Sequence, residues 1–177
     1  MHTLTRVLAM VVALLAGCAE LPLSPAGDFE FELKGRFAAS YRDEAASGVL
    51  AWRHRASTDE MLLSSPFGQG LARVLREGEA VTLIAGDNKR YEAADAETLT
   101  EQVLGFRMPL RGLADWVRAR PSSDAPSEAQ YAQDGRLLVL VQQGWRIEYG
   151  GYEDGRPTRL KLNYPGLELR LAIGEWK

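Results

Sequence analysis

The sequence predicts a mainly β protein, a single domain of about ten antiparallel strands interrupted by two short helices. Three observations carry this. Hydrophobic residues recur at period two along most of the chain from Phe29 onward. Turn-forming clusters such as Gly68-Gln69-Gly70, Glu77-Gly78-Glu79 and Gly86-Asp87-Asn88 break that alternation at short intervals. A helical period occurs in one stretch only, between Asp95 and Pro121.

The first segment is an address. Ten apolar residues, Val7 to Ala16, follow a short region carrying Arg6, the length of a signal-peptide core and too short for a membrane-spanning helix. Leu15-Ala16-Gly17-Cys18 then resembles a bacterial lipobox, and Cys18 is the only cysteine in the chain. Residues 1–17 are therefore expected to be removed and Cys18 to be lipidated. Several acyl chains, at about 0.8 kcal/mol per buried CH₂, anchor stably where one is marginal. Ala19 stands where an Asp would signal retention at the inner membrane. The resemblance therefore implies the outer membrane, inner leaflet, facing the periplasm. Losing residues 1–17 removes Arg6 and no acid, leaving 20 cations against 24 acids over 160 residues, a net charge of −4. Residues 18–28, with Pro22, Pro25 and Gly27 and no apolar period, read as the lipidated Cys and a flexible tether. Ten tether residues reach about 33 Å when fully stretched.

Residues 29–177 form the domain. Phe29, Phe31, Leu33, Phe37 and Tyr41 alternate with charged and small residues, a half-buried strand in which Gly35 marks a bulge or bend. Strands follow over 47–54, 60–64, 70–76, 80–85 and 89–93. Asp95 caps a helix with apolar positions Leu99, Val103 and Leu104, closed by Gly105. A second helix runs from Leu110 to Arg118, and Pro121 ends it. Residues 121–130 read as a polar loop. Strands resume at 136–142, then with Trp145, Ile147 and Tyr149, with Leu160, Leu162 and Tyr164, and with Leu167, Leu169, Leu171 and Ile173. So many strands with one apolar face must curl, and two short helices are too small to fill the concavity. A curved sheet or incomplete barrel leaves an apolar cavity, whereas a two-sheet sandwich fills it; pattern alone leaves both open.

Composition narrows the function. The net charge of −3 on the whole chain gives no footprint for nucleic acid. The histidines are His2 and His54, so a mature chain has His54 alone for His-based catalysis, and no Gly-x-Ser-x-Gly or phosphate-binding loop is present. Carboxylate-pair chemistry has no fixed spacing and stays open, but no enzyme, cofactor or metal is expected.

Phe31-Glu-Leu-Lys-Gly-Arg-Phe37, Trp52, Ser65-Pro66-Phe67-Gly68, the segment 91–121 and Gly144-Trp-Arg-Ile-Glu-Tyr149 follow the LolB family in order and spacing. The resemblance covers the lipobox and nearly all of the domain. It implies an incomplete, strongly curved barrel of about eleven antiparallel strands, with helices over an apolar cavity. It also implies a monomer that accepts acylated lipoproteins from the periplasmic carrier LolA and places their acyl chains in outer-membrane lipid. The family carries a protruding loop, usually Asn-Pro-Leu-Gly, for membrane insertion of cargo; here Pro66, Phe67 and Gly68 match it, with Ser65 for Asn and Phe67 for Leu. Without that resemblance, Phe67 reads rather as a buried hairpin-tip residue. Trp52, Trp116, Trp145, Tyr149, Leu160, Leu162, Leu169 and Leu171 are candidates for lining the acyl cavity, or else plain core. His54 between Arg53 and Arg55 suggests an anion site or a solvated strand end. Arg107, Arg111, Arg118 and Arg120 form a basic cluster that meets a carrier or headgroups, or is a solvated helix face. The rival function is a non-catalytic envelope lipoprotein that binds a free lipid or glycolipid, or scaffolds an envelope complex.

Overall fold

The computed structural model describes residues 29–177; Cys18, the signal segment and the tether lie outside the described residues. Eleven strands form one antiparallel sheet: β1 (Phe31–Tyr41), β2 (Glu44–Arg55), β3 (Thr58–Ser64), β4 (Gly70–Glu77), β5 (Ala80–Ala85), β6 (Arg90–Ala93), β7 (Ser127–Tyr131), β8 (Leu137–Gln142), β9 (Trp145–Glu153), β10 (Arg156–Tyr164) and β11 (Leu167–Trp176). The sheet curls without closing, so the sandwich is excluded. Its order is β6-β5-β4-β3-β2-β1-β11-β10-β9-β8-β7. Two meanders are thus joined by the pairing of the first and last strands, Leu33↔Trp176 to Tyr41↔Leu167. The two edges, β6 and β7, are linked by residues 94–126, which carry helices α1 (Ala96–Leu104) and α2 (Leu110–Trp116).

Two elements differ from the sequence reading. The polar stretch expected to be loop contains β7, which raises the strand count from ten to eleven. All five β7 residues are exposed, so no alternation marks it; its ladder with β8 creates it. Helix α2 stops at Trp116, two residues early, where the chain turns through Ala119 in a left-handed conformation (φ 55°) before it reaches Pro121. Helix α1 follows its local signals: the Asp95 carboxylate accepts from the Thr98 backbone N–H at 2.6 Å, and Gly105 ends the helix at φ 79°. Those bonds hold the Asp95 carboxyl below its ordinary range, the backbone N–H of Thr98 contributing most.

One hydrophobic core occupies the concave face. Across β1 to β5 the inner side chains form rows that run from strand to strand. Phe31, His54, Asp59, Arg76 and Val81 make the first, at the end where the chain enters; Leu33, Trp52, Met61, Val74 and Leu83 the second; Gly35, Leu50, Leu63, Ala72 and Ala85 the third. Phe37 and Gly48 begin a fourth.

Candidate functional site

The β3–β4 connection is built for exposure. Ser65 and Gln69 close it, with the Ser65 N–H donating to the Gln69 carbonyl at 2.7 Å, and Gly68 N donates to the Ser65 carbonyl at 3.0 Å. Pro66 and Phe67 occupy the turn and Gly68 follows at φ 87°, a left-handed position that a Cβ would strain. The Ser65 hydroxyl oxygen accepts from Phe67 N at 3.3 Å and Gln69 N at 3.2 Å. The loop is therefore held from beneath by its own first residue, and nothing packs on its tip: Phe67 is 98% exposed. The buried alternative for Phe67 is excluded.

The inner face below this hairpin is unevenly covered. The first row, farthest from Phe67, is wholly buried; in the second only Val74 is partly open; in the third Leu50, Leu63, Ala72 and Ala85 are all half-buried, and beyond it Phe37 is too. Apolar surface is thus uncovered progressively toward the hairpin. The chain itself comes close at this end, where a Cβ on Gly48 would lie 2.1 Å from the Ser64 carbonyl oxygen and 3.0 Å from the Phe37 ring.

The eight residues expected to line a cavity lie mostly on the other half of the sheet and in the closed core. Trp52, Trp116, Trp145, Tyr149, Leu160, Leu162 and Leu171 are buried, and Leu169 is half-buried. The structure brings Tyr149, Leu160 and Leu171 into one inner row that continues to Phe37, and pairs Leu162 with Leu169. Trp145 stacks on Tyr164 at 5.0 Å and tilts against Trp116 at 6.0 Å. Phe37, Leu50, Leu63 and Val74, the half-covered strip, were not singled out by the sequence reading. Their alternation was visible, but which apolar positions the helices leave open was not.

The helices are pinned by buried polar bonds. Gln142 is buried and uses its whole amide: its Oε1 accepts from Trp116 Nε1 (2.8 Å) and Ser122 N (2.9 Å), and its Nε2 donates to the Ser122 and Ala125 carbonyls, each at 2.7 Å. The Tyr149 hydroxyl donates to the Trp116 carbonyl at 2.8 Å, and burial pushes its pKa well up. Both anchors grip α2. At α1 the exposed Tyr41 hydroxyl donates to the Gly105 carbonyl at 3.0 Å, and the Tyr41 and Phe106 rings meet at 5.2 Å.

His54 is neither an anion site nor a solvated strand end. It is buried, its Nδ1 donates to Asp59 at 2.6 Å, and its ring stacks on Phe31 at 4.8 Å. The Asp59 carboxylate also accepts from Trp52 Nε1 at 2.8 Å and from Arg76 Nε, and Arg76 donates onward to the Gly78 carbonyl at 2.8 Å. The pattern rewards a buried carboxylate with three donors. The basic cluster is compensated as well: Arg107 pairs with Glu101, Arg111 with Glu79, Arg118 with Glu30 and Asp115, and Arg120 with Asp115. It presents no bare cation.

Comparison with known proteins places this arrangement. The family model described as "Outer membrane lipoprotein LolB" matches residues 29–176. An outer-membrane lipoprotein LolB of Thiobacillus denitrificans is 36% identical over 182 residues, covering 97% of this chain and 98% of that protein. One from Dechloromonas aromatica is 37% identical over 186 residues, covering 96% and 95%. Among solved structures, the crystal structure of a DUF1329 family protein from Desulfovibrio piger matches at TM-score 0.52 over 83% of this chain and 84% of that one, at 8% identity, a likeness of fold alone. No helix among the described residues is long and apolar enough to cross a membrane. By the extent of these matches, the chain belongs to the LolB family of outer-membrane lipoproteins.

Proposed function

We propose that this protein, a member of a family that serves lipoprotein localisation, receives acylated lipoproteins from the carrier LolA and inserts them into the outer membrane from its periplasmic side, working as a monomer held by acyl chains on Cys18. The observation that carries the reading is the coincidence of two features at one end of the fold. The apolar inner face opens progressively toward the β3–β4 hairpin, and that hairpin presents Phe67 with 98% of its surface exposed. Acyl chains in water need an apolar container, and the partly covered strip of Phe37, Leu50, Leu63 and Val74 is where they enter. The deeper candidates, from Trp52 and Trp116 to Leu171, become lining as the chains displace α1, while α2 stays pinned through Gln142 and Tyr149. Phe67 then dips into the headgroup region beside the mouth and lets the chains pass from protein to bilayer, down a gradient of affinity with no catalytic step.

Transfer of an acylated cargo from LolA into liposomes tests this. Phe67→Glu is expected to keep cargo acceptance and to lose transfer; unimpaired transfer overturns the role. Cys18→Ala is expected to release a folded domain from the membrane fraction, and retention there at high salt overturns the anchor.

A further inference from the structure

The outer, solvent-facing side of the sheet carries a feature that the reading above does not use. One row of outward residues runs Arg159–Ala172–Arg36–Val49–Ser64 across β10, β11, β1, β2 and β3, and Ser64 is the base of the Phe67 hairpin. The distance from Arg159 to Val49 is three strand spacings, about 14 Å. The two arginines line a surface depression of about 550 Å³ together with Arg170, Lys161 and the carboxylate-bearing Glu148, with the small residues Ala38, Gly150 and Ala172 among them.

Charge pairing sets two of these cations apart. Arg170 and neighbouring Lys161 share Glu168 at 2.7 and 2.8 Å, and Arg146 pairs with Glu148 at 2.9 Å. Arg36 and Arg159 are exposed and have no ion pair or hydrogen bond to any other described residue. They stand either side of Ala172, the small residue that pairs with both in the ladder. At the hairpin end of the row the exposed apolar residues gather: Val49 beside Arg36, Leu71 at the start of β4, and Phe67. In a mature chain of net charge −4, two unpaired arginines bordered by exposed apolar side chains mark an interface with something both anionic and apolar.

We propose that this outer face beside the hairpin is a contact surface for anionic phospholipid headgroups, with Arg36 and Arg159 taking phosphates across the depression and Val49, Leu71 and Phe67 meeting the acyl boundary. The proposal rests on the reading of Phe67 as membrane-facing and deepens it by specifying which side of the domain turns toward the bilayer. Bidentate guanidinium–phosphate contacts and a nearby negative surface both favour arginine here. Each such cation contributes about fivefold in membrane contact at moderate salt, so the pair contributes about twenty-fivefold. An acidic protein would complement the arginines but not the apolar row that leads from them to the hairpin.

The test uses the mature acylated protein reconstituted in vesicles. With Cys18 acylated, an introduced Ala172→Cys supplies a unique thiol for a fluorescent label between the two arginines. Vesicles of phosphatidylcholine, with or without 30% phosphatidylglycerol, carry a headgroup quencher. Quenching is expected to rise severalfold with phosphatidylglycerol, to fall in 0.5 M salt, and to fall to the phosphatidylcholine level with Arg36→Gln/Arg159→Gln. The same label at Ser127→Cys on β7 should not respond. Equal quenching in both lipids, or quenching indifferent to the double variant, overturns the proposal; so does a double variant that leaves lipid contact intact but impairs receipt of cargo from LolA, which would assign the arginines to the carrier. The Phe67→Glu transfer assay is read separately. If transfer is lost but the Ala172 label never responds, the lipid face falls and the hairpin role stands. If transfer survives while the label responds to phosphatidylglycerol through the arginines, the lipid face stands and the hairpin role falls.

Discussion

The two ends of the β2–β3–β4 ladder follow opposite rules. At the end where the chain enters, Trp52, His54 and Arg76 converge on the buried carboxylate of Asp59, and each polar atom of that carboxylate is used. At the other end, some 20 Å along the strands, the same ladder finishes in a three-residue loop whose largest side chain touches nothing. One end spends polar interactions on fixing register and shape. The other exposes an apolar group that contributes nothing to the folded state. A residue that adds no packing to the fold and stands 98% exposed is compatible with the membrane-facing role proposed for it.

This contrast can be broken from either end. The largest effect is expected at the closed end: Asp59→Ala leaves Arg76 buried without its carboxylate and strips acceptors from His54 and Trp52, so unfolding in urea should show a loss of about 3–5 kcal/mol. A loss below about 1 kcal/mol would mean that apolar packing of Phe31 and Trp52 fixes this end without the carboxylate. In the loop itself, Gly68→Val forces a branched side chain into the left-handed region and should cost about 1–2 kcal/mol, with the damage confined to hairpin resonances in an NMR spectrum. The smallest effect on stability is expected at the residue proposed to meet the membrane. Phe67→Glu should unfold within about 0.5 kcal/mol of the parent while cargo transfer falls away. A large stability change there would show that Phe67 is packed in solution and would erase the distinction between the ends.

Much of this was legible in the sequence because strands with one covered face announce themselves by alternation. β9, β10 and β11 do so through Trp145 to Tyr149, Leu160 to Tyr164 and Leu167 to Ile173, and α1 through Asp95 and Gly105. β7 did not, since Ser127 to Tyr131 is an edge strand with neither face buried and its existence depends on β8. The fate of His54 was equally hidden: flanking arginines suggested solvent, and only the register of β2 against β3 and β4 brings Asp59 and Arg76 to it. The exposure of Phe67 needed the turn geometry, because from the residues alone a Phe at a hairpin tip reads rather as buried. The partial opening at Leu50 and Leu63 depends on where two helices come to rest, which periodicity along a strand does not encode.

The pairing of β1 with β11 has a consequence for how this molecule comes into being. Among the described strands, the two that hold the meanders together are the first and the last to emerge, so every other hairpin can form locally while β1 waits with an open edge for β11. That is a topology of high contact order at its most important seam, and such seams close slowly. In an exported chain the wait leaves the apolar edge of Phe31, Leu33 and Phe37 accessible to other strands. Loss of the final ten residues would therefore do more than shorten the sheet at one margin. It would separate the half that carries Phe67 from the half that carries Trp145 and Gln142.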